Sequence, residues 1–439
     1  MRIKQRHFLE LICIFVITLM FSLVFKKAIV DDIWNYGFTY NISNGLIPYK
    51  DFNMVTTPLF PILGALFLII FGKNIVCFYI FHAIICTIIF WYMKKSNNKS
   101  YYLPYLLFLL IASPNYNILC LLFLYIILDL EKNNKNDYLI GALLGLTFIT
   151  KQSIGLCLCL PTLFLKDLNK TIKRVVGFIL PIIILLIYLI YNDALYQFIN
   201  YCFLGLSEFG TNNQLILIVP IAILIISICY LLLKYIKTKD YKILYLICFF
   251  GMSLPIIDGF HVLIPFIATF NYFLSNLRLN KKIISIAFVL FIGIYSIYNI
   301  YIYYTSDKIT YPNITKTYKY NKLDKDDANA IVILSNRLKK SDKNTFLINS
   351  SGYILKLEAS IPIGKYDMLL TGNSGKDGTN VIINNIKNIC ENEKCSFWVN
   401  ESSYETTEYN QYDKKLHEYI VNNYNKYEDV LGITIYRNY

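Results

Sequence analysis

Apolar residues gather into twelve segments, at 8–25, 58–72, 75–93, 101–112, 115–130, 138–150, 153–165, 175–191, 215–236, 241–257, 261–275 and 283–304, and then stop. A helix needs ~20 residues to cross ~30 Å of hydrocarbon, so the longer segments read as spans and several are short. Past Thr305 the pattern changes. Apolar positions recur at helical spacing over 326–340, 380–390 and 411–424, while 345–349, 396–400 and 429–436 read as strands. The pattern predicts a polytopic α-helical membrane protein, with a transmembrane domain over 1–304 and a compact α/β domain over 305–439.

Composition agrees, and charge adds an orientation. Hydrophobic residues make up 56% of the chain and mean hydropathy is +0.46. Residues 305–439 carry 18 Lys/Arg against 17 Asp/Glu, so the net charge of +13 belongs almost entirely to the membrane half. There it is clustered between spans, at Arg2/Lys4/Arg6, Lys94/Lys95/Lys99, Lys166/Lys170/Lys173/Arg174, Lys234/Lys237/Lys239 and Arg278/Lys281/Lys282. Short loops rich in Lys and Arg stay cytoplasmic. The basic excess is therefore topological, and no nucleic-acid partner is expected. Acid-bearing or nearly uncharged connections fall on the other side: 26–57, 113–117, 192–214 and 258–261. Asp31, Asp32, Asp51, Asp193, Glu208 and Asp258 then share the extracytoplasmic face.

Twelve crossings would return the C-terminus to the cytoplasm, whereas the charges place Lys281/Lys282 inside and Thr305 outside. Eleven or 13 crossings are expected, with Leu59–Tyr92 the place where the count goes astray. The first segment lacks a small-residue cleavage site and runs into Lys26-Lys27, so it reads as an uncleaved anchor. Most of the 11 cysteines lie in apolar segments, where cysteine behaves as a small hydrophobe. Cys390 and Cys395 instead flank Glu-Asn-Glu-Lys in the polar domain, and can close a small disulfide loop if that domain is exported. Tyr, Ile, Asn and Lys dominate throughout, a bias under which Asn313-Ile-Thr315 carries no information about glycans. Gly372–Gly375 with Gly378 lacks nucleotide-binding spacing and reads as a surface loop.

Three polar constellations interrupt the apolar pattern. Asp31-Asp32 lies just beyond the first span, in a connection that continues to Asp51; polar clusters at membrane edges mark working surfaces. A carboxylate is the simplest general base, and an adjacent acid raises its pKa toward use. Lys151 has apolar sequence on both sides and no acid nearby, so it must face a cavity, water or an anion; a phosphate suits it as a point-charge contact. His261 opens a late span after a tight turn, with Asp258 three residues before it.

At these residues the chain resembles the GT-C class of membrane glycosyltransferases, including protein O-mannosyltransferases and aminoarabinose transferases. That class carries an Asp-Asp or Asp-Glu pair at the start of its first external loop. Bacterial relatives continue with Gly-x-x-Pro-Tyr-x-Asp-Phe, here Gly45–Phe52, and a Pro-Leu helix start, here Pro58-Leu59. Gly141–Gln152 resembles their small-residue helix and Thr-Lys element, and His261–Pro265 their His-x-x-x-Pro element. The resemblance implies Asp31 as the catalytic or acceptor-orienting acid with Asp32 beside it; Asp51, Lys151, Gln152, Asp258 and His261 are the expected substrate contacts. Asn115 and Asn117 stand where O-mannosyltransferase-type relatives have a second Asp. That departure leaves a divalent metal an open question, and no other cofactor is implied.

The expected protein is thus a multi-pass enzyme of the bacterial cytoplasmic membrane with catalytic loop 26–57 and an extracytoplasmic C-terminal domain. It would transfer a sugar from polyprenyl phosphate to a lipid, glycan or protein acceptor, with Lys151 and His261 holding the donor phosphate. Two other classes compete: a flippase or transporter for lipid-linked glycans, and a membrane-anchored binding protein whose tail does the work.

Overall fold

The computed structural model describes residues 2–25, 30–96, 101–133, 135–206, 218–254, 257–275, 277, 281–305, 325–341, 343–348, 352–367, 375–401 and 414–439. The membrane half is helical: α1 (Arg2–Met20, extended by a π-turn at Phe21–Phe25), α2 (Val30–Ser43), α3 (Leu59–Phe71), α4 (Ile75–Ser96), α5 (Tyr102–Ile111), α6 (Tyr116–Lys132) and α7 (Asp137–Phe148). There follow α8 (Gln152–Leu163), α9 (Leu168–Tyr191), α10 (Leu195–Ile199), α11 (Ile218–Thr238), α12 (Lys242–Phe249), α13 (Gly259–Ser275) and α14 (Lys281–Thr305). Every apolar segment of the sequence is occupied by one of these helices. Among the described residues, α4, α9 and α11 are long and apolar enough to cross a membrane by themselves. Helices α5, α7 and α8 have 10, 12 and 12 residues, roughly 15–18 Å each.

Polar contacts gather the helix ends into two layers. In one, the Lys94 ammonium meets Glu10, which also accepts Tyr101 and Tyr102 hydroxyls at 3.0 and 2.6 Å; Lys95 meets Asp129 at 2.7 Å. There too, Arg174, 3% exposed, is held by Glu131 at 2.5 Å, Asp137 at 2.7 Å and the Tyr245 hydroxyl at 2.9 Å. This layer joins α1, α4, α5, α6, α7, α9 and α12 at the lysine-rich ends. In the other layer, Leu59 N–H donates to Ile149 O at 2.9 Å, and Thr57 Oγ1 donates to Phe148 O at 3.1 Å. Helix α3 begins there, and its far end leads back to the start of α4, which runs to the lysine-rich layer. So α3 leaves and rejoins the same layer.

Helices α7 and α9 approach as closely as backbones allow. A methyl group on Gly141 would lie 2.1 Å from Arg174 O, and one on Gly177 2.2 Å from Tyr138 O. Small residues at such crossings let apolar helices pack by van der Waals contact where no hydrophobic effect drives them together.

Two expectations change. The 26–57 stretch, expected as a loop, contains the 14-residue α2. Its Asn35, Thr39 and Asn41 are buried along with Ile33, Tyr36 and Phe38, because α2 packs on α3 and on the C-terminal domain. Polar residues on packed faces masked the helical period. What remains of the loop is a tight turn: Tyr49, at φ 70°, is fully buried against Phe198.

In the C-terminal region α15 (Lys325–Leu338), β1 (Asn344–Leu347), α16 (Gly352–Ala359), α17 (Gly378–Asn392), β2 (Cys395–Val399), α18 (Lys414–Asn423), β3 (Asn425–Val430) and β4 (Ile433–Arg437) follow. The sheet order is β1-β2-β4-β3, parallel between β1 and β2 and antiparallel elsewhere. The stretch 429–436, expected as a single strand, holds the end of β3, a two-residue turn and most of β4. Leu431 and Gly432 both have positive φ, the two-residue geometry that matches strand twist. Cys390 and Cys395 form a disulfide between α17 and β2. Asn438 ties the same corner, donating to Cys390 O at 2.6 Å and accepting from Cys395 N–H at 2.9 Å.

Two buried asparagines dock this region on the helices. Asn41 of α2 exchanges both amide bonds with the Ile363 backbone, at 2.8 and 2.9 Å. Asn200 Oδ1 accepts the Lys376 and Asp377 N–H groups at 2.8 and 3.3 Å. Gly375, expected in a surface loop, packs there with positive φ, because a side chain would strike Asn200; Gly372–Ser374 lie outside the described residues.

The Arg174 cluster makes a stability prediction. Arg174→Met leaves Glu131 and Asp137 enclosed without their cation, and breaking a buried pair costs about 3–5 kcal/mol. Thermal unfolding in detergent should shift clearly downward; an unchanged midpoint would remove Arg174 from that role.

Candidate functional site

Lys151 stands at a break between two helices. Thr147 and Thr150 return their hydroxyls to Leu143 O and Leu146 O at 2.7 and 2.8 Å, and Lys151 N–H makes the last bond of α7, to Thr147 O, at 2.8 Å. Such back-bonding competes with helix continuation, and Lys151 itself is extended, at φ −151° and ψ 112°. Its ammonium is thereby carried inside: the residue is 7% exposed. It donates to Asn117 Oδ1 at 3.3 Å and Met252 O at 3.2 Å, and lies 5.5 Å from the centre of the Tyr116 ring. A buried cation requires such oxygen and π partners.

Asp258 and His261 sit beside it. Asp258 caps α13, accepting His261 N–H at 2.8 Å through Oδ1 and pairing with His261 Nδ1 at 2.8 Å through Oδ2. Burial alone would raise the Asp258 carboxyl; the His261 contacts and the field of Lys151 overcome it and hold the group below its ordinary range. The field of Lys151 thus reaches the Asp258–His261 pair, more than a hundred residues away in sequence.

The starts of α6, α8 and α13 converge on this group. Each helix N-terminus acts as roughly half a positive charge. Asn115 caps α6 by accepting Asn117 N–H at 2.9 Å, Lys151 occupies the cap position of α8, and Asp258 caps α13. One helix points the other way: the α12 end supplies Met252 O. Lys151 and the starts of α6 and α8 give the site its positive character, while at α13 the Asp258 carboxylate answers the helix start.

The other expected residues take distinct places. Gln152 is 5% exposed, and its Nε2 donates to Cys202 O at 2.8 Å and Val55 O at 3.4 Å, fastening the segment after α10 and the end of the first connection beside Lys151. Asp51 closes its own turn, accepting Ile47 N–H at 2.7 Å. It also faces the C-terminal domain: burial lowers the Lys365 ammonium, and the Asp51 charge opposes that shift. Asp32 is 5% exposed in the first turn of α2. Asp31 belongs to the same turn; its side chain, like Glu208, lies outside the described residues. Phe38 of α2 stacks on Phe52 at 5.9 Å, and Thr57 and Leu59 bind the backbone just before Lys151, so α2 and Lys151 share one continuous packing layer.

Tyr116 and Met252 went unrecognised in the sequence. A carbonyl has no sequence signal, and a tyrosine in a chain with 38 of them has very little.

Among solved structures, the chain is similar to ArnT from Cupriavidus metallidurans bound to undecaprenyl phosphate, over 98% of this chain and 96% of that one, at 10% identity and a TM-score of 0.59. The chain shares the fold of that structure. An oligosaccharyltransferase from Archaeoglobus fulgidus, tethered to an acceptor peptide, is similar over 99% of this chain and 74% of its own, at 11% identity and a TM-score of 0.47. No protein-family model matches the sequence, and no curated protein matches it.

The Asp258 contacts predict a pH dependence. A carboxyl held low in the folded state stabilises fully above the unfolded range, and that contribution fades as pH falls through the folded value. The melting difference between wild type and Asp258→Asn should be present at neutral pH and shrink below about pH 4. A difference independent of pH would contradict the assignment.

Proposed function

We propose that the protein transfers a sugar from a polyprenyl-phosphate donor to an acceptor hydroxyl at the extracytoplasmic face of the membrane. The observation that carries this reading is the meeting of the buried Lys151 ammonium with the starts of α6 and α8, in a fold shared with ArnT. A phosphate attached to lipid meets its requirements, since the site lies among apolar helices rather than in a nucleotide-binding loop.

In this reading Lys151 and His261 hold the donor phosphate, while Asp258 orients His261. Asp31 removes the proton from the acceptor hydroxyl. That oxygen attacks the anomeric carbon, the bond from carbon to phosphate oxygen breaks, and phosphate leaves with its electron pair, giving inversion as the class implies. Positive charge at the phosphate favours departure by stabilising the charge that develops there. Asp32, Asp51 and Gln152 act on orientation, Gln152 through the backbone it fastens.

We infer eleven crossings with the N-terminus inside, because α3 rejoins the layer it leaves. The Cys390–Cys395 disulfide fits an oxidising compartment, hence an exported C-terminal domain. After reduction, a membrane-impermeant thiol reagent should label Cys390 and Cys395 in right-side-out vesicles. Labelling only in inverted vesicles would reverse the orientation.

The chemical test uses vesicles supplied with polyprenyl-phosphate sugars. Asp31→Asn should lower kcat by about 10²–10⁴, the contribution of a positioned base. Lys151→Met should chiefly weaken donor use. Full activity in both variants would defeat the proposal.

A further inference from the structure

Beside Lys151 several donors are enclosed with their orientation already fixed. Asn117 is fully buried, and its Oδ1 receives Lys151 Nζ. Exchanging its amide oxygen and nitrogen would set two donors face to face, so the nitrogen must be the atom turned away. Among the described residues nothing accepts Asn117 Nδ2, and Ser153 Oγ is likewise buried without a partner. The start of α8 adds to them. Lysine has no acceptor with which to cap a helix, and no side chain caps this one. The first backbone bond into α8 runs from Gly155 N–H to Lys151 O at 3.1 Å, and among the described residues the Gln152, Ser153 and Ile154 N–H groups ahead of it are left as donors.

We propose that Asn117 Nδ2, Ser153 Oγ and the amide end of α8 form, together with Lys151, a cradle for the phosphate of the lipid-linked donor. The inference rests on the reading of Lys151 as a phosphate contact, and adds the groups that give that contact direction. An ammonium is a point charge on a flexible stem and fixes distance rather than angle. A phosphodiester presents two non-bridging oxygens with several lone pairs, and directed N–H and O–H donors on two helices hold it in one pose. Asn117 Nδ2 and Ser153 Oγ are buried, so a ligand that satisfies them meets little competing water.

The full-length protein in detergent is titrated with farnesyl phosphate, a short lipid bearing one phosphate, and with inorganic phosphate, following heat or the phosphorus resonance. Wild type should bind farnesyl phosphate more tightly than inorganic phosphate. Asn117→Asp keeps an oxygen for Lys151 while removing the N–H, and should weaken binding at least tenfold. Ser153→Ala should weaken it several-fold. In turnover assays both should raise the donor KM and leave the acceptor KM alone. Should Asn117→Asp not fold, judged by its melting midpoint, Ser153→Ala decides. Wild-type affinity in both variants, with binding lost in Lys151→Met, overturns the cradle and spares the Lys151 reading. Undiminished binding in Lys151→Met overturns that reading first. Equal affinity for inorganic phosphate would assign the cradle to free phosphate and overturn the lipid-linked donor.

Discussion

A buried ammonium governs the half of the bundle remote from the lysine-rich ends. Withdrawing a cation from water is costly unless oxygen and π partners replace its hydration. At Lys151 those partners come from the start of α6 and the end of α12, elements remote in sequence. The break between α7 and α8 exists where the chain delivers that charge inward, and Asp258 with His261 lies within its field. The helix starts that meet there add to the cation's field rather than cancelling it.

The lysine-rich layer solves the opposite problem. Arg174 is equally enclosed, but two carboxylates and a tyrosine answer it within the protein. One cation is closed between two carboxylates and a tyrosine; the other is held by an amide oxygen, a backbone carbonyl and a ring, with Asp258 within its field. That contrast separates a stabilising cluster from a site able to take a charged ligand.

The C-terminal domain reaches this site through short physical steps. Asn200 holds the Lys376–Asp377 turn, the following segment presents Cys202 O to Gln152, and Gln152 adjoins Lys151. Asn41 ties the domain to α2, which carries Asp31 and Asp32 in its first turn. The domain is thus docked at both places. The fold shared with ArnT at 10% identity shows how little of this architecture depends on particular residues. Apolar periodicity and close small-residue crossings suffice for the bundle; its chemistry rests on a few polar positions.

The sequence by itself determined the helical segments, the lysine-rich ends, the solitary character of Lys151 and the spacing that lets Cys390 reach Cys395. Each is a local property, written in hydropathy, charge or proximity along the chain. It did not determine α2, whose helical period is blurred by polar residues that find partners only in the α3 and C-terminal contacts. The hairpin inside 429–436 was likewise hidden, because Leu431 adopts positive φ only where paired strands demand it. Tertiary structure alone brought Asn117, Met252 and Asp258 around Lys151, since what a buried charge gathers depends on which helix ends meet, and no local pattern encodes that meeting.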